Sequence, residues 1–207
     1  EQRDGRALPA RQPEWEPCIV PSTMIDSSDP ELFRIRSNLR EVHAIPPEVP
    51  LFEGEEWPVL RRLTRFVHDF INDESLSVGF ATASEVVRTR RGDCTEHAVL
   101  LAALIRVSGA DCCGFPSRVV SGVVYVPGAA GDAGIFGYHM WAQGKVSEQV
   151  GKTIENARST TRSIWSKWLD LDAAILSSDP DSPGVDATHI ALSTSTMADG
   201  EVINSMA

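Results

Sequence analysis

The sequence predicts an α+β fold in which one buried helix packs against an antiparallel sheet. Residues 94–108 form a helical pattern that is apolar nearly all round, and a helix of that kind belongs in the centre of a domain. The chain then changes character, because Val-rich, aromatic-rich and alternating runs typical of β-strands follow. These runs span residues 118–126, 136–143 and 165–171.

The flanking segments complete the predicted order of elements. Apolar residues recur at helical spacing from Val59 to Ile71, which predicts an amphipathic helix that ends near residue 73. Ser84 is placed to cap a short helix that runs to Arg90. Residues 144–163 are polar, and we expect an insertion between strands that can be helical. Residues 186–193 can add a short strand.

Length and composition favour one domain with irregular ends. The chain has 207 residues, 42% of them hydrophobic, which is enough for one substantial core. We predict an irregular N-terminal arm over residues 1–57, the folded domain over residues 58–193 and a loose tail over residues 194–207.

Charge and hydropathy disfavour two classes of partner. The formal charge is −10 at pH 7, which opposes nonspecific attraction to nucleic acid or to an anionic membrane. No apolar stretch approaches the roughly 20 residues that span a bilayer, so we predict neither a nucleic-acid partner nor membrane insertion. Since the chain begins at Glu1 without a signal-like apolar run, we expect a processed or excised part of a longer precursor, with export allowed and the compartment unknown.

Cys94 is the candidate nucleophile. It lies in the sequence Gly-Asp-Cys-Thr-Glu-His at residues 92–97, where a turn leads directly into the buried helix. Unpaired backbone N–H groups and the helix dipole favour negative charge in the first turn, so a thiol there gains thiolate character. Gly92 permits a close approach of the chain, and Asp93 is a candidate N-cap.

A cysteine nucleophile needs a histidine, and five compete for the role: His43, His68, His97, His139 and His189. His43 and His68 are expected at the surface. His97 shares a helix face with Cys94, but a packed or hydrogen-bonded histidine is the favoured interpretation. His139 lies in an aromatic-rich strand whose large rings can keep water out, and we predict that it is the base.

The third group should be an acid that reaches the far nitrogen of His139. The sequence Trp-Leu-Asp-Leu-Asp at residues 168–172 offers Asp170 and Asp172, which share one face of a strand, so alternation alone does not separate them. Tyr138 and Trp141 flank His139 on its strand, and we predict that they bind substrate.

Together these residues resemble the transglutaminase-like superfamily. Its microbial members carry a core close to R-G-D-C-T-E-H-A-x-L-L, then G-Y-H-x-W, then W-x-x-L-D, and this chain matches at residues 91–101, 137–141 and 168–172 in that order. The resemblance implies a papain-like, transglutaminase-core fold. It also implies that Cys94 is the nucleophile, that His139 is the base and later the acid, and that Asp172 orients His139.

The resemblance further implies acyl transfer. Cys94 would attack a carboxamide or peptide carbonyl, backbone donors including its own N–H would hold the oxyanion, and His139 would protonate the departing amine. Water as acceptor makes a peptidase or amidase, and an amine as acceptor makes a cross-linking transglutaminase. We favour hydrolysis slightly, because no amine-acceptor site or calcium loop is recognisable. We expect a peptide or protein substrate, no cofactor and no metal.

Two other classes stay open. A zinc-stabilised module could use Cys94, His97, Cys112 and Cys113, although adjacent cysteines are poor geometry for two ligands of one tetrahedral ion. A catalytically silent module could keep the fold and recognise peptide in a cleft beside Tyr138 and Trp141. The sequence predicts no particular oligomeric state.

Overall fold

The computed structural model describes residues 13–42, 56–74, 79–108, 115–128, 133–150, 162–177 and 185–201. A short 3-10 turn at Pro13–Cys18 begins this part of the chain. Its helices are α1 (Pro30–Val42), α2 (Glu56–Phe70), α3 (Ala83–Thr89) and α4 (Cys94–Val107). Its strands are β1 (Ser117–Val126), β2 (Ile135–Val150), β3 (Arg162–Leu171) and β4 (His189–Ser195). The order of helices and strands confirms the predicted α+β class.

The four strands form one antiparallel sheet in the order β3-β2-β1-β4. Strand β1 pairs with β2 on one side and with β4 on the other, and Gly122 is opposite His139 on β2 and Ala191 on β4. Residues opposite each other in register share a face, as do residues two apart on one strand. His139 and His189 therefore lie on the same face, on either side of β1.

Helix α4 is the centre of the core, as predicted. From Thr95 to Val107 its residues are buried, and Leu100, Leu101 and Leu104 are fully inaccessible. Near its C-terminal end, the Ser117 hydroxyl donates a 2.8 Å hydrogen bond to the Ala102 carbonyl and ties the helix to the start of β1. This packing fixes the position of the N-terminal end of α4 relative to β2.

The N-terminus of α4 is closed by a capping box, and the prediction of Asp93 as the N-cap is confirmed. The Asp93 side chain accepts from the backbone N–H groups of Thr95 and Glu96, while the Glu96 carboxylate accepts from the Asp93 N–H at 3.0 Å. A Cβ on Gly92 would overlap the Glu96 side chain. Only glycine therefore lets the chain enter this cap.

Helix α1 was not predicted, because we expected an irregular arm over residues 1–57. Its buried residues, Leu32, Ile35 and Leu39, are three and four positions apart and pack into the main core. The surrounding charged residues and prolines obscured this short periodicity in the sequence. Helix α3 is capped by Thr82 rather than by Ser84, as the Thr82 hydroxyl accepts from the Glu85 N–H.

The polar segment after Gly144 is strand where the structure describes it, so the expectation of a helix was wrong there. β2 runs on to Val150 and β3 begins at Arg162, and these two residues are paired. Pairing between the strands satisfies the backbone N–H and C=O groups, so these strands form although their side chains make no apolar face. Residues 151–161 lie outside the described residues.

The start of the predicted loose tail is held in place. Met197 is buried, and Asp199 accepts a 2.8 Å hydrogen bond from the Thr23 N–H. No helix in the described part of the chain is both long enough and apolar enough to cross a membrane.

Candidate active site

Cys94 is the first residue of α4 and carries a free, half-buried thiol. The next residue anchors this turn to the sheet, because the Thr95 hydroxyl donates to the Met140 sulfur of β2 at 3.5 Å. Met140 directly follows His139. The bond between Thr95 and Met140 therefore holds the Cys94 thiol close to His139, the predicted base.

The imidazole of His139 is buried between an acid and the thiol. Its Nε2 donates to Oδ2 of Asp172 at 2.7 Å, which leaves Nδ1 for the hydrogen bond with the Cys94 sulfur. Burial alone would lower the pKa of His139, but the hydrogen bonds with Asp172 and Cys94 outweigh it and raise the pKa to about 9. His139 is therefore protonated at neutral pH.

Asp172 is fully buried, and its carboxylate is surrounded by donors. Oδ2 accepts from His139 and from Nε2 of His189 at 3.0 Å, while Oδ1 accepts from the backbone N–H groups of Ala174 and Ile175 at 2.8 and 3.0 Å. Burial would raise the pKa of Asp172, but the hydrogen bonds from the two histidines outweigh it and lower the pKa to about 2. The group is a carboxylate throughout the neutral range.

A family model described as the transglutaminase-like superfamily matches residues 59–172. The chain belongs to the transglutaminase-like superfamily. The matched segment contains Cys94, His139 and Asp172, the residues that the motifs singled out. His189 lies beyond it.

Among solved structures, this transglutaminase-like chain is similar to a protein from Cytophaga hutchinsonii named "Putative Cysteine Protease". The TM-score is 0.56 at 14% sequence identity, and the alignment covers 90% of this chain and 48% of the other. The chain thus spans about half the length of that protein, and the likeness supports the fold. None of the curated proteins matches the chain.

The two acids of the W-x-x-L-D motif have different contacts in this transglutaminase-like site. Asp170 Oδ1 accepts from Trp141 Nε1 and from Gln143 Nε2, both at 2.7 Å. Asp172 lies just past the end of β3, and its carboxylate is the one that contacts His139. The structure thus brings His139 and Asp172 together, and the orienting role of Asp172 stays a prediction.

The two predicted substrate-binding residues lie in different environments. Tyr138 is 79% exposed and accessible to a ligand, whereas Trp141 is 2% exposed. The Trp141 ring stacks on His139 with centroids 6.1 Å apart and meets His189 edge-on at 5.3 Å. A Cβ on Gly122 would come within 2.6 Å of this ring, so glycine makes room for it. Trp141 packs against both imidazoles, and its contact with substrate stays a prediction.

His189 is the residue of the site that sequence reasoning missed. It begins β4, and Nε2 bonds the same Asp172 oxygen as His139 does. One ligand atom from each of His139, Asp172 and His189 lies within 4.8 Å of the others. These short separations follow from the two hydrogen bonds that the histidines donate to the Asp172 carboxylate. The sequence indicated only that residues 186–193 can add a short strand, and the pairing of that strand with β1 is what brings His189 to the site.

The other candidate residues have separate contacts. His97 is buried, as expected, and its Nδ1 donates to the Asp93 carbonyl at 2.6 Å. His68 is half-buried rather than at the surface, and its Nδ1 donates to the Ala173 carbonyl at 2.9 Å. His43, Cys112 and Cys113 lie outside the described residues, so the zinc set that includes the two cysteines stays untested.

Proposed function

We propose that this domain is a thiol-dependent acyl-transfer enzyme that acts on a peptide or glutamine-type carboxamide through Cys94, His139 and Asp172, and that water is the acceptor. One observation carries the proposal. The thiol at the start of the buried helix is hydrogen-bonded to an imidazole whose other nitrogen bonds a buried carboxylate. The nucleophile thereby contacts the base, and the base contacts the group that orients it.

The first half-reaction forms a thioester. With the proton already on His139, the Cys94 thiolate attacks the carbonyl carbon, a C–S bond forms, and the carbonyl π electrons move to oxygen. When the tetrahedral intermediate collapses, the C–N bond breaks, and the departing nitrogen takes the proton from His139. The free amine leaves, and the acyl group stays on sulfur.

The second half-reaction releases the acid. His139, now neutral, takes a proton from water, the oxygen attacks the thioester carbon, and the C–S bond breaks to restore the Cys94 thiolate and the protonated imidazole. Asp172 keeps one orientation of the ring through both steps. Its charge stabilises the imidazolium, which donates its proton in the first half-reaction and forms again in the second.

The oxyanion is best placed at the N-terminus of α4. The side chain of Asp93 occupies the N–H groups of Thr95 and Glu96, while the described residues offer no acceptor to the N–H of Cys94. That donor, aligned with the helix dipole, is available to the developing negative charge.

Trapping of the acyl-enzyme tests the proposal. The protein is incubated with a mixture of peptides and glutamine-containing peptides, with and without a primary amine, and the products and the mass of the Cys94 peptide are followed. We expect an acyl adduct on Cys94 and a carboxylic acid product. Cys94→Ala should abolish both, and Cys18→Ala, which removes a buried free thiol, should not.

The outcomes separate the parts of the proposal. Turnover that survives in Cys94→Ala overturns the thiol mechanism. Amine incorporation in place of acid release overturns water as the acceptor and makes the domain a cross-linking transglutaminase. If iodoacetamide modifies Cys94 no faster than an ordinary thiol, and no adduct forms, the domain is a peptide-binding module of the same fold.

A further inference from the structure

We propose that His189 is a positioning residue of this site: as an imidazolium held between Asp186 and Asp172, it limits how strongly Asp172 holds the proton on His139. The effect of His189 on catalysis rests on the proposed function, whereas its effect on the protonation of His139 does not. Its geometric basis is that two histidines from different strands donate to a single carboxylate oxygen, at 2.7 and 3.0 Å.

The surroundings of His189 favour a proton on each ring nitrogen. Nε2 points at the Asp172 carboxylate, which accepts and cannot donate at neutral pH. Nδ1 lies 3.4 Å from Asp186 Oδ1 and 3.2 Å from the Thr188 hydroxyl oxygen. The Thr188 hydroxyl donates its single hydrogen to Asp186, so only its lone pairs face the imidazole. With acceptors on both sides, His189 is best satisfied as the cation.

Electrostatics agrees with this assignment. The hydrogen bond to Asp172 raises the pKa of His189 and outweighs the effect of burial, and the hydrogen bond with Asp186 adds to it. Although His189 begins an edge strand, its side chain is only 5% exposed, because Trp141 packs edge-on against it. On the Asp172 side, little water is available to screen the charge, whereas the Asp186 side chain is 63% exposed.

A second cation beside Asp172 affects His139. The two imidazole centroids are 5.6 Å apart, so the two positive charges repel each other while they share one negative charge. His189 also takes up lone-pair capacity of Oδ2 that would otherwise serve His139 alone. Both effects oppose the rise in the pKa of His139 that Asp172 causes.

The charged neighbours on each element act in known directions. Asp172, after β3, and Asp186, in the turn before β4, favour the charged form of His189, while His139 on β2 opposes it. Cys94 on α4 favours the charged form of His139. His97 on α4 also interacts with Asp172, but burial lowers the pKa of His97, so it is neutral at pH 7.

The inference is tested by titrating individual histidines by NMR, in the full chain carrying Cys94→Ala so that no turnover is needed. In that background, the ¹⁵N shifts of His189 at pH 7 should show two protonated nitrogens. His189→Phe keeps a ring against Trp141 but removes the charge and the donor. His189→Gln, whose amide nitrogen reaches as far as Nε2 of histidine, keeps a donor for Asp172 but removes the charge.

Both variants should move the titration midpoint of His139 upward, by roughly one pH unit for the loss of a neighbouring buried charge. In the active chain, the alkaline limb of kcat/KM should move the same way. His68→Asn is the matched control, since His68 bonds the Ala173 carbonyl and not the Asp172 carboxylate, and it should leave the midpoint unchanged.

The alternative results overturn the inference. An unchanged or lowered His139 midpoint in His189→Gln means that His189 only anchors Asp172 through its hydrogen bond. If only one ring nitrogen of His189 is protonated at pH 7, His189 is neutral there and the inferred imidazolium does not exist. Because the midpoint is measured without turnover, an inactive wild-type protein would contradict the proposed function and leave this test intact.

Discussion

Nε2 of His139 lies 2.7 Å from Oδ2 of Asp172, and the exposed fractions of the two side chains are only 6% and 1%. In such a setting a charge-assisted hydrogen bond is strong, and the loss of one partner leaves the other buried and uncompensated. The bond also fixes which nitrogen of His139 is left for Cys94. The predictions that concern catalysis start from this contact.

Asp172→Asn should lower kcat by at least about 100-fold, because the amide removes the charge that stabilises the imidazolium and can present the wrong group to Nε2. Asp170→Asn is the matched control on the same motif. Its amide oxygen can still accept from Trp141 and Gln143, so we expect kcat within about threefold of wild type. Steady-state kinetics on both variants checks this, and equal losses would remove Asp172 from its assigned role.

The pH dependence of activity should have an alkaline limb near the His139 pKa of about 9, since the neutral imidazole cannot protonate the leaving amine. Asp172→Asn should move this limb to lower pH, toward the ordinary histidine pKa of about 6.5. A profile of kcat/KM against pH measures the shift. A limb that stays in place in the variant would assign the ionisation to another group.

The ionisation of His139 should also appear in the pH dependence of the free energy of unfolding. Because the folded state raises the pKa of His139, its protonated form stabilises the fold fully below about pH 6.5, and this contribution is lost as pH rises through about 9. The free energy of unfolding in urea should therefore fall over that interval, and fall less in Asp172→Asn. On the acid side, the pKa of Asp172 is lowered to about 2, so its contribution is present above about pH 4 and is lost below it.

Local patterns were sufficient to predict α4, its cap and the position of Cys94. An apolar periodicity and a capping sequence act within a few residues, so they can be recognised in one stretch of chain. The choice of Asp172 over Asp170 came from the family motif, because both acids share a strand face. What separates them in the structure is that β3 ends at Leu171, which frees Asp172 to turn toward His139.

His189 could not be found from local patterns, because its contact with Asp172 depends on the register of β4 against β1. The continuation of β2 past Gly144 and the start of β3 before Trp165 were missed for a different reason. The polar residues there carry no alternating apolar pattern, and the strands are specified by their pairing.

Gly92→Ala should destabilise the fold by about 2 kcal/mol or more, because the added Cβ overlaps the side chain of Glu96 and opens the capping box. The free energy of urea unfolding measures the loss. Gly79→Ala is the control, since a Cβ there meets nothing within 4 Å. A loss in Gly92→Ala no larger than in the control would show that the turn relaxes at little cost.

Arg106→Met should destabilise the protein by about 3 kcal/mol, since this guanidinium is 4% exposed and joins distant parts of the chain. It donates to the carbonyls of Val20, Ser117 and Thr196 at 2.6, 3.2 and 2.7 Å, which the variant would leave without these donors. Arg88→Met, which breaks an exposed pair with Asp29, should cost less than about 1 kcal/mol. Thermal and urea unfolding of the two variants should rank them in this order.

Tyr138→Ala should raise KM at least about fivefold while leaving kcat and stability nearly unchanged, if the exposed ring binds substrate next to the reacting groups. Tyr138 is 79% exposed, so its removal forfeits little packing, and the register places it beside Val123 and the 48% exposed Ile190. Leu192→Ala removes a comparably exposed side chain, at 60%, from the edge strand and should leave KM unchanged. Equal KM values for wild type and Tyr138→Ala would contradict the assignment, and a fall in kcat alone would mean that the ring acts through the neighbouring His139.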